Sequence, residues 1–275
     1  MNSYAKVFDS LNFPPSIKRC AEGKIAPPLA TFKAPADWYG FPPALIPIWS
    51  EGSRPTYIGI WKHWFIEREP SFVKMYVGAE RATIEIARTA EQLFSFVVMM
   101  SISERDGVES DLVAFAKEVD IPNLEQIDAV SRVSGDEAHG LIMIDQFKNE
   151  TPFESVSAIA DYSGGFPTGD FDNSNSWWMK ACSFEFSPEV LAAWPSSLSK
   201  PAWIADFGKE KLELFNDYLS VNNFDKAWLT LNSTGWTIRD ARIAISDLGA
   251  KAKDCRFNLL VDAWLSVADE SAGGY

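Results

Sequence analysis

The spacing of apolar residues changes period along the chain, and each change marks a new kind of element. Residues 4–10 and 15–22 predict two short helices, split by Phe13-Pro14-Pro15. Residues 26–47 hold Pro27, Pro28, Pro35, Pro42, Pro43 and Pro47. Proline removes a backbone donor and restricts its predecessor, so this stretch predicts an irregular, ordered loop. Trp38, Tyr39 and Phe41 are the side chains expected to anchor it.

A strand-like pattern follows. Leu45 to Trp49 is a short apolar run, and Glu51-Gly52-Ser53-Arg54-Pro55 reads as a turn. Tyr57 to Ile66 is dense in aromatic and β-branched residues. Phe72, Lys74 and Tyr76 alternate with Val73, Met75 and Val77. Gly78-Ala79-Glu80-Arg81 supplies a turn, and Thr83 to Ala87 continues as a strand. These signals predict an antiparallel meander. The pattern then turns helical. Thr89 is placed to cap, Gln92 to complete a capping box, and Leu93, Phe94, Val97 and Met100 to form a buried stripe.

Helices dominate thereafter. Residues 109–119 and 123–133 are amphipathic, with Pro122 between them. Thr151-Pro152-Phe153-Glu154 and Ser187-Pro188-Glu189 carry helix-start signals. Residues 140–147 read as a lone strand and 162–176 as a loop. Further on, four stripes recur at helical spacing: Leu212, Phe215, Tyr218 and Leu219; Phe224, Ala227, Trp228 and Leu231; Ile238, Ala241, Ile245 and Leu248, opened by Thr237; and Phe257, Leu260, Val261, Trp264 and Val267. Short loops join them, so they are expected to pack as antiparallel neighbours. Asp269 to Tyr275 is expected to fray. The predicted class is α+β: an antiparallel β-meander sheet with flanking helices, followed by a mostly helical C-terminal part. The pattern divides the chain into an α+β module at 1–103, an acidic region of mixed helix, strand and loop at 104–207, and a helical region at 208–275.

Charge sharpens this division. The chain of 275 residues has a net charge of −13, distributed as +2 over residues 1–100 and −15 over 101–275. Residues 101–172 alone hold 16 acidic and 4 basic residues. Such a field repels nucleic acid and anionic lipid and attracts basic proteins, although acidic surfaces also serve solubility. The apolar run Leu93 to Met100 is too short for a bilayer, which needs roughly 20 residues. Three scattered cysteines, Cys20, Cys182 and Cys255, offer no disulfide framework. A reducing, cytoplasmic location is expected.

The stretch from about 44 to 101 resembles the SUKH superfamily of bacterial immunity proteins. The matching residues are Ile46-Pro47-Ile48-Trp49, Tyr57-Ile58-Gly59-Ile60-Trp61 and Val73-Lys74-Met75-Tyr76-Val77. Ile84-Glu85-Ile86-Ala87-Arg88-Thr89 follows, running into Gln92-Leu93-Phe94-Ser95-Phe96. The resemblance covers about a fifth of the chain and consists of core residues. Pro42-Pro43 stands where the family has a Gly-Gly turn, and the helical part lies outside the resemblance. It implies a non-enzymatic module that binds and neutralises a toxin, and it carries over no functional residues.

Catalytic chemistry finds little purchase. His63 falls on an aromatic strand, where a hydrogen bond at the sheet surface is the simpler role than general base. His139 and Asp136 share one face if helical, but a polar turn accounts for them. Asp170-Phe171-Asp172-Asn173-Ser174-Asn175-Ser176 opens like a calcium loop, yet Asn175 and Ala181 occupy the places of the required Gly and Glu. Ser163-Gly164-Gly165 lacks the lysine of a phosphate loop, and no G-x-S-x-G elbow occurs. Cys182 and Cys255 have apolar neighbours and read as packed thiols. Trp177-Trp178 is read as packing or as an exposed interface anchor.

The expected function is an immunity or inhibitor protein, with no cofactor and no metal, that binds a basic toxin such as a nuclease or deaminase. The candidate partner-binding residues are Glu104, Asp106, Glu109, Asp111, Asp161, Asp170, Asp172, Trp177 and Trp178. A carboxylate-dependent hydrolase and a two-module adaptor are the alternatives.

Overall fold

A computed structural model describes residues 3–35, 38–52, 55–65, 67, 69–77, 82–105, 107–134, 140–156, 161–164, 182–183, 211–233 and 235–275. The aromatic and β-branched runs form the centre of an antiparallel sheet in sequential order. Its strands are β1 (Phe32–Lys33), β2 (Leu45–Glu51), β3 (Thr56–Trp61), β4 (Ser71–Tyr76), β5 (Ala82–Ala87) and β6 (Cys182–Ser183). Tyr57 pairs with Met75 and Gly59 with Val73, while Val73 in turn pairs with Glu85. Residues paired in this way share a face, so Tyr57, Gly59, Val73, Met75, Thr83 and Glu85 lie on one side. Pro47 sits inside β2 opposite Gly59, beside a register shift between Pro47 and Trp49. A side chain at Gly59 would strike the Ile46 carbonyl at 2.6 Å, so only glycine permits this pairing. β1 pairs with Ser50 and Glu51 alone, so Pro47 removes no ladder donor on that side.

The expected meander is therefore present, with one strand shorter than its composition suggested. β3 stops at Trp61, and the aromatics beyond it leave the sheet. Trp64 and Phe65 turn instead onto the helical part, where their rings stand 5.5 Å and 4.9 Å from Phe257.

Helices α1 (Ala5–Ser10) and α2 (Pro15–Ala21) precede the sheet, and α3 (Ala90–Arg105) follows β5 directly. Thr89 caps α3 by accepting from the Gln92 amide at 3.1 Å. The Gln92 side chain reaches one residue further back than a capping box requires, to the Arg88 amide at 2.8 Å. It also donates to the carbonyls of Gln146 and Glu150, so one buried amide fixes three segments. From Gln92 to Met99 every residue of α3 is buried. A helix covered on all sides is central to a core rather than laid on its surface.

Helices α4 (Ser110–Glu118) and α5 (Leu124–Ser131) occupy the predicted places. Residues 140–147 are not a strand. Leu141, Ile144 and Phe147 are buried while Ile142 and Met143 are exposed, and Asp145–Phe147 is a 3-10 turn. The apolar run follows a period of three, which the strand reading missed. Thr151-Pro152 likewise opens only a 3-10 turn, Phe153–Ser155, with Val156 extended. The Thr151 hydroxyl is spent on the Phe147 carbonyl instead of capping.

Four helices match the four later stripes: α6 (Lys211–Ser220), α7 (Phe224–Leu231), α8 (Ile238–Ala252) and α9 (Cys255–Val267). Thr237 caps α8 by accepting from the Asp240 amide, and Asp254 caps α9 by accepting from Arg256 and Phe257. Their buried faces join the same hydrophobic cluster as the sheet. Trp264 donates to the Phe41 carbonyl at 3.0 Å, and Trp38 packs 4.5 Å from Phe41 and 5.9 Å from Trp264. The proline-rich loop is anchored by its aromatics as expected.

Residues 269–275 do not fray. Tyr275 is buried and donates to the Leu231 carbonyl at 2.7 Å. Its amide donates to Trp236, and its carbonyl accepts from Gly235. Gly274 bridges Thr237, and its Cα lies so close to the Trp236 carbonyl that a side chain would meet that oxygen at 2.1 Å.

Candidate functional site

The acidic region divides into carboxylates already held by the fold and carboxylates left to solvent. Arg105, in the last turn of α3, is the organising cation. Its Nη1 reaches Glu109 at 3.0 Å and Asp111 at 2.6 Å, and its Nη2 donates to the Pro28 carbonyl. The Arg105 guanidinium holds the Asp111 carboxyl below its usual range. Arg19 of α2 takes Glu118 at 2.5 Å, and Arg132 takes Asp128 at 3.0 Å. These pairs are solvent-exposed, so each contributes little stability, but they fix where the carboxylates stand.

Glu104, Asp120 and Glu125 are different. All three are exposed and make no ion pair among the described residues. Val108, before α4, and Val113, within it, have 37% and 49% of their surface exposed. An exposed helix pair carrying unpaired acids and small apolar side chains is chemically suited to a basic protein surface.

Of the expected partner-binding residues, the structure thus joins Glu109 and Asp111 through Arg105 and leaves Glu104 free at the end of α3. Asp161 is exposed, but it adjoins Tyr162 at β5. Asp106, Asp170, Asp172, Trp177 and Trp178 lie outside the described residues, as do Asp136, His139 and the Asp170–Ser176 stretch. Asp120 and Glu125 were not singled out from the sequence. For Glu125 a signal was available, since it has no Arg or Lys at helical spacing; Asp120 has Lys117 three residues before it and offered none.

The remaining candidates resolve into structural roles. His63 is buried in the loop after β3, not on the strand, and its Nε2 accepts from Trp61 at 3.3 Å. Cys20 is buried, and burial pushes its thiol up to about 12. Cys255 is exposed, contrary to the packed reading. It sits two residues before Phe257 and so falls off the buried stripe of α9. Among the described residues no group of three or more His, Cys, Asp or Glu could hold a metal ion, and no helix is long and apolar enough to cross a membrane.

One buried acid was missed altogether. Glu85 of β5 is 0% exposed. Its Oε1 accepts from the Phe153 amide at 3.2 Å and the Tyr162 hydroxyl at 2.8 Å, and its Oε2 meets the Ser71 hydroxyl. Burial raises its carboxyl above the usual range, against the opposing hydrogen bonds from Ser71 and Tyr162.

No family model matches the sequence, and neither a curated protein nor a solved structure matches it.

Proposed function

We propose that the chain is a cytoplasmic immunity or inhibitor protein that neutralises a basic bacterial toxin through its acidic helical face. The observation that carries this reading is the trio Glu104, Asp120 and Glu125, exposed and without ion pairs at the end of α3 and around α4 and α5. Unpaired acids raise the local negative potential and so steer a cationic partner toward this face. Glu109 and Asp111 support the same surface as pre-positioned acceptors, since Arg105 has already fixed them. The resemblance of residues 44–101 to the SUKH superfamily points in the same direction. Trp177 and Trp178, which follow Asp170 and Asp172 in the sequence, remain the proposed anchors. A hydrolase built on Glu85 is disfavoured, because three donors occupy its oxygens and none of its surface meets solvent.

The product of a gene adjacent to this one is the partner to test. Co-expression should restore growth to cells poisoned by that product, and the purified pair should co-elute, with binding weakened by added salt. Continued poisoning, with no complex at low salt, overturns the proposal.

A further inference from the structure

Glu85 joins parts of the chain that are far apart in sequence. Ser71 begins β4, Phe153 lies in a 3-10 turn, and Tyr162 follows it, while Glu85 itself is in the middle of β5. We propose that Glu85 is a proton-controlled latch: neutral, it holds the Phe153 turn and Tyr162 against β5, and ionised, it releases both.

Oε1 accepts from Phe153 and Tyr162, and Oε2 accepts from the Ser71 hydroxyl; in the neutral acid Oε2 carries the proton and the bond to Ser71 Oγ runs the other way. A serine hydroxyl both donates and accepts, so Ser71 adapts to either state. The ionised acid is a buried charge with no ion pair among the described residues. Burying such a charge is costly. The positive charge that reaches it is Arg88, further along the same strand's exit. Lys74 of β4 and Glu154 beside Phe153 act on Tyr76 instead. Among the described residues, Tyr162 is the remaining titratable group packed on it.

The direction follows from linkage. The docked state keeps the proton, and a released Glu85 in water gives it up near its ordinary value. Docking therefore weakens as pH rises from the ordinary glutamate range through the higher docked-state value. Release uncovers the face of β5 that holds Glu85.

The test is hydrogen exchange at the Phe153 amide in the full chain, corrected for the intrinsic pH dependence of exchange. Protection should fall by about tenfold or more between about pH 5 and about pH 8. Glu85→Gln places an oxygen toward Phe153 and Tyr162 and an amide toward Ser71, so it mimics the neutral acid and should remove the pH dependence. Tyr162→Phe removes a donor that favours the charged form, so the midpoint should move to higher pH. A merely structural Tyr162 would lower protection and leave the midpoint in place. Equal protection at both pH values in the natural chain, or the same pH dependence in Glu85→Gln, overturns the latch. If Glu85→Gln does not fold, Tyr162→Phe decides: an unmoved midpoint overturns it.

Discussion

The amide of Ala44 donates to Oδ1 of Asn232 at 2.6 Å, across 188 positions of sequence. Asn232 follows α7, and Ala44 immediately precedes β2. The same side chain donates through Nδ2 to the Trp228 carbonyl at 2.8 Å. Asn232 is 5% exposed, so both bonds are made away from water. The meander and the later helices are thus joined by polar contacts as well as by shared apolar surface.

Asn232→Leu should cost about 2 kcal/mol, because it leaves the Ala44 amide buried without this acceptor. Urea unfolding followed separately by tryptophan fluorescence and circular dichroism should give one coincident transition, shifted to lower denaturant. Two separated transitions would show that the meander and the helices unfold independently, contrary to the joint described above.

Tyr275 closes the other end of the helical part. Tyr275→Phe removes the donor to Leu231 and should cost about 1–2 kcal/mol. Tyr275→Ala also empties the space against Trp264, whose ring lies 6.5 Å away, and should cost about 3–5 kcal/mol. Thermal unfolding of both variants checks the order. Unchanged stability in both would mean that residues 269–275 are not held in solution.

Alkaline pH offers an independent measure of the same burial. Burial raises the phenols of Tyr4 and Tyr275 well above the usual tyrosine value. The unfolded phenols ionise near about pH 10 while the folded ones keep their protons. Stability is therefore undiminished below about pH 10 and falls as pH rises beyond it. In Tyr275→Phe the fall should be shallower, by roughly 1.4 kcal/mol per pH unit for the one phenol removed. Urea midpoints above that pH decide the point, and an identical slope in the variant would show that Tyr275 is not buried.

The parts of the fold that were legible are those whose signal is local. Thr237 and Thr89 cap helices because a cap needs only its next two or three residues. The four late stripes predicted four helices for the same reason. The misreadings were non-local. Gly273-Gly274-Tyr275 carries no pattern of its own and is ordered by Gly235, Trp236 and Leu231. Glu85 drew no reading from the sequence, because the Phe153 turn that covers its side of β5 lies 68 residues away. A clue lay in the register. Val73 pairs with Glu85 and Met75 with Thr83, so the face holding Glu85 is apolar on its neighbour and had to be covered. For the partner surface, the acidic excess of residues 101–172 was plain, whereas Arg105 and Arg19 reveal which acids are spent only once the chain has folded.

That distinction gives the acidic face its sharpest prediction. Glu104 lies in the last turn of α3 and Glu125 in the first turn of α5, both exposed. Glu104→Lys places a cation at a helix C-terminus, where the macrodipole favours it, so the fold should tolerate the change. The double variant Glu104→Lys, Glu125→Lys reverses two unpaired charges and leaves the Arg105 pairs intact. With the cognate toxin it should associate more slowly at low salt, with a flatter salt dependence, while dissociation changes little. Asp111→Lys sets a like charge on Arg105 and should also disturb the start of α4, visible as lost protection of the Leu112 amide, which now donates to Asp111. Trp177→Ala or Trp178→Ala should instead speed dissociation, consistent with about 2 kcal/mol if that residue is a hot spot. Binding kinetics at two salt concentrations separate the three patterns. Association of the Glu104→Lys, Glu125→Lys variant at the natural rate at both salts would remove this face from the interface and leave the strands between residues 56 and 77 as the next surface to test.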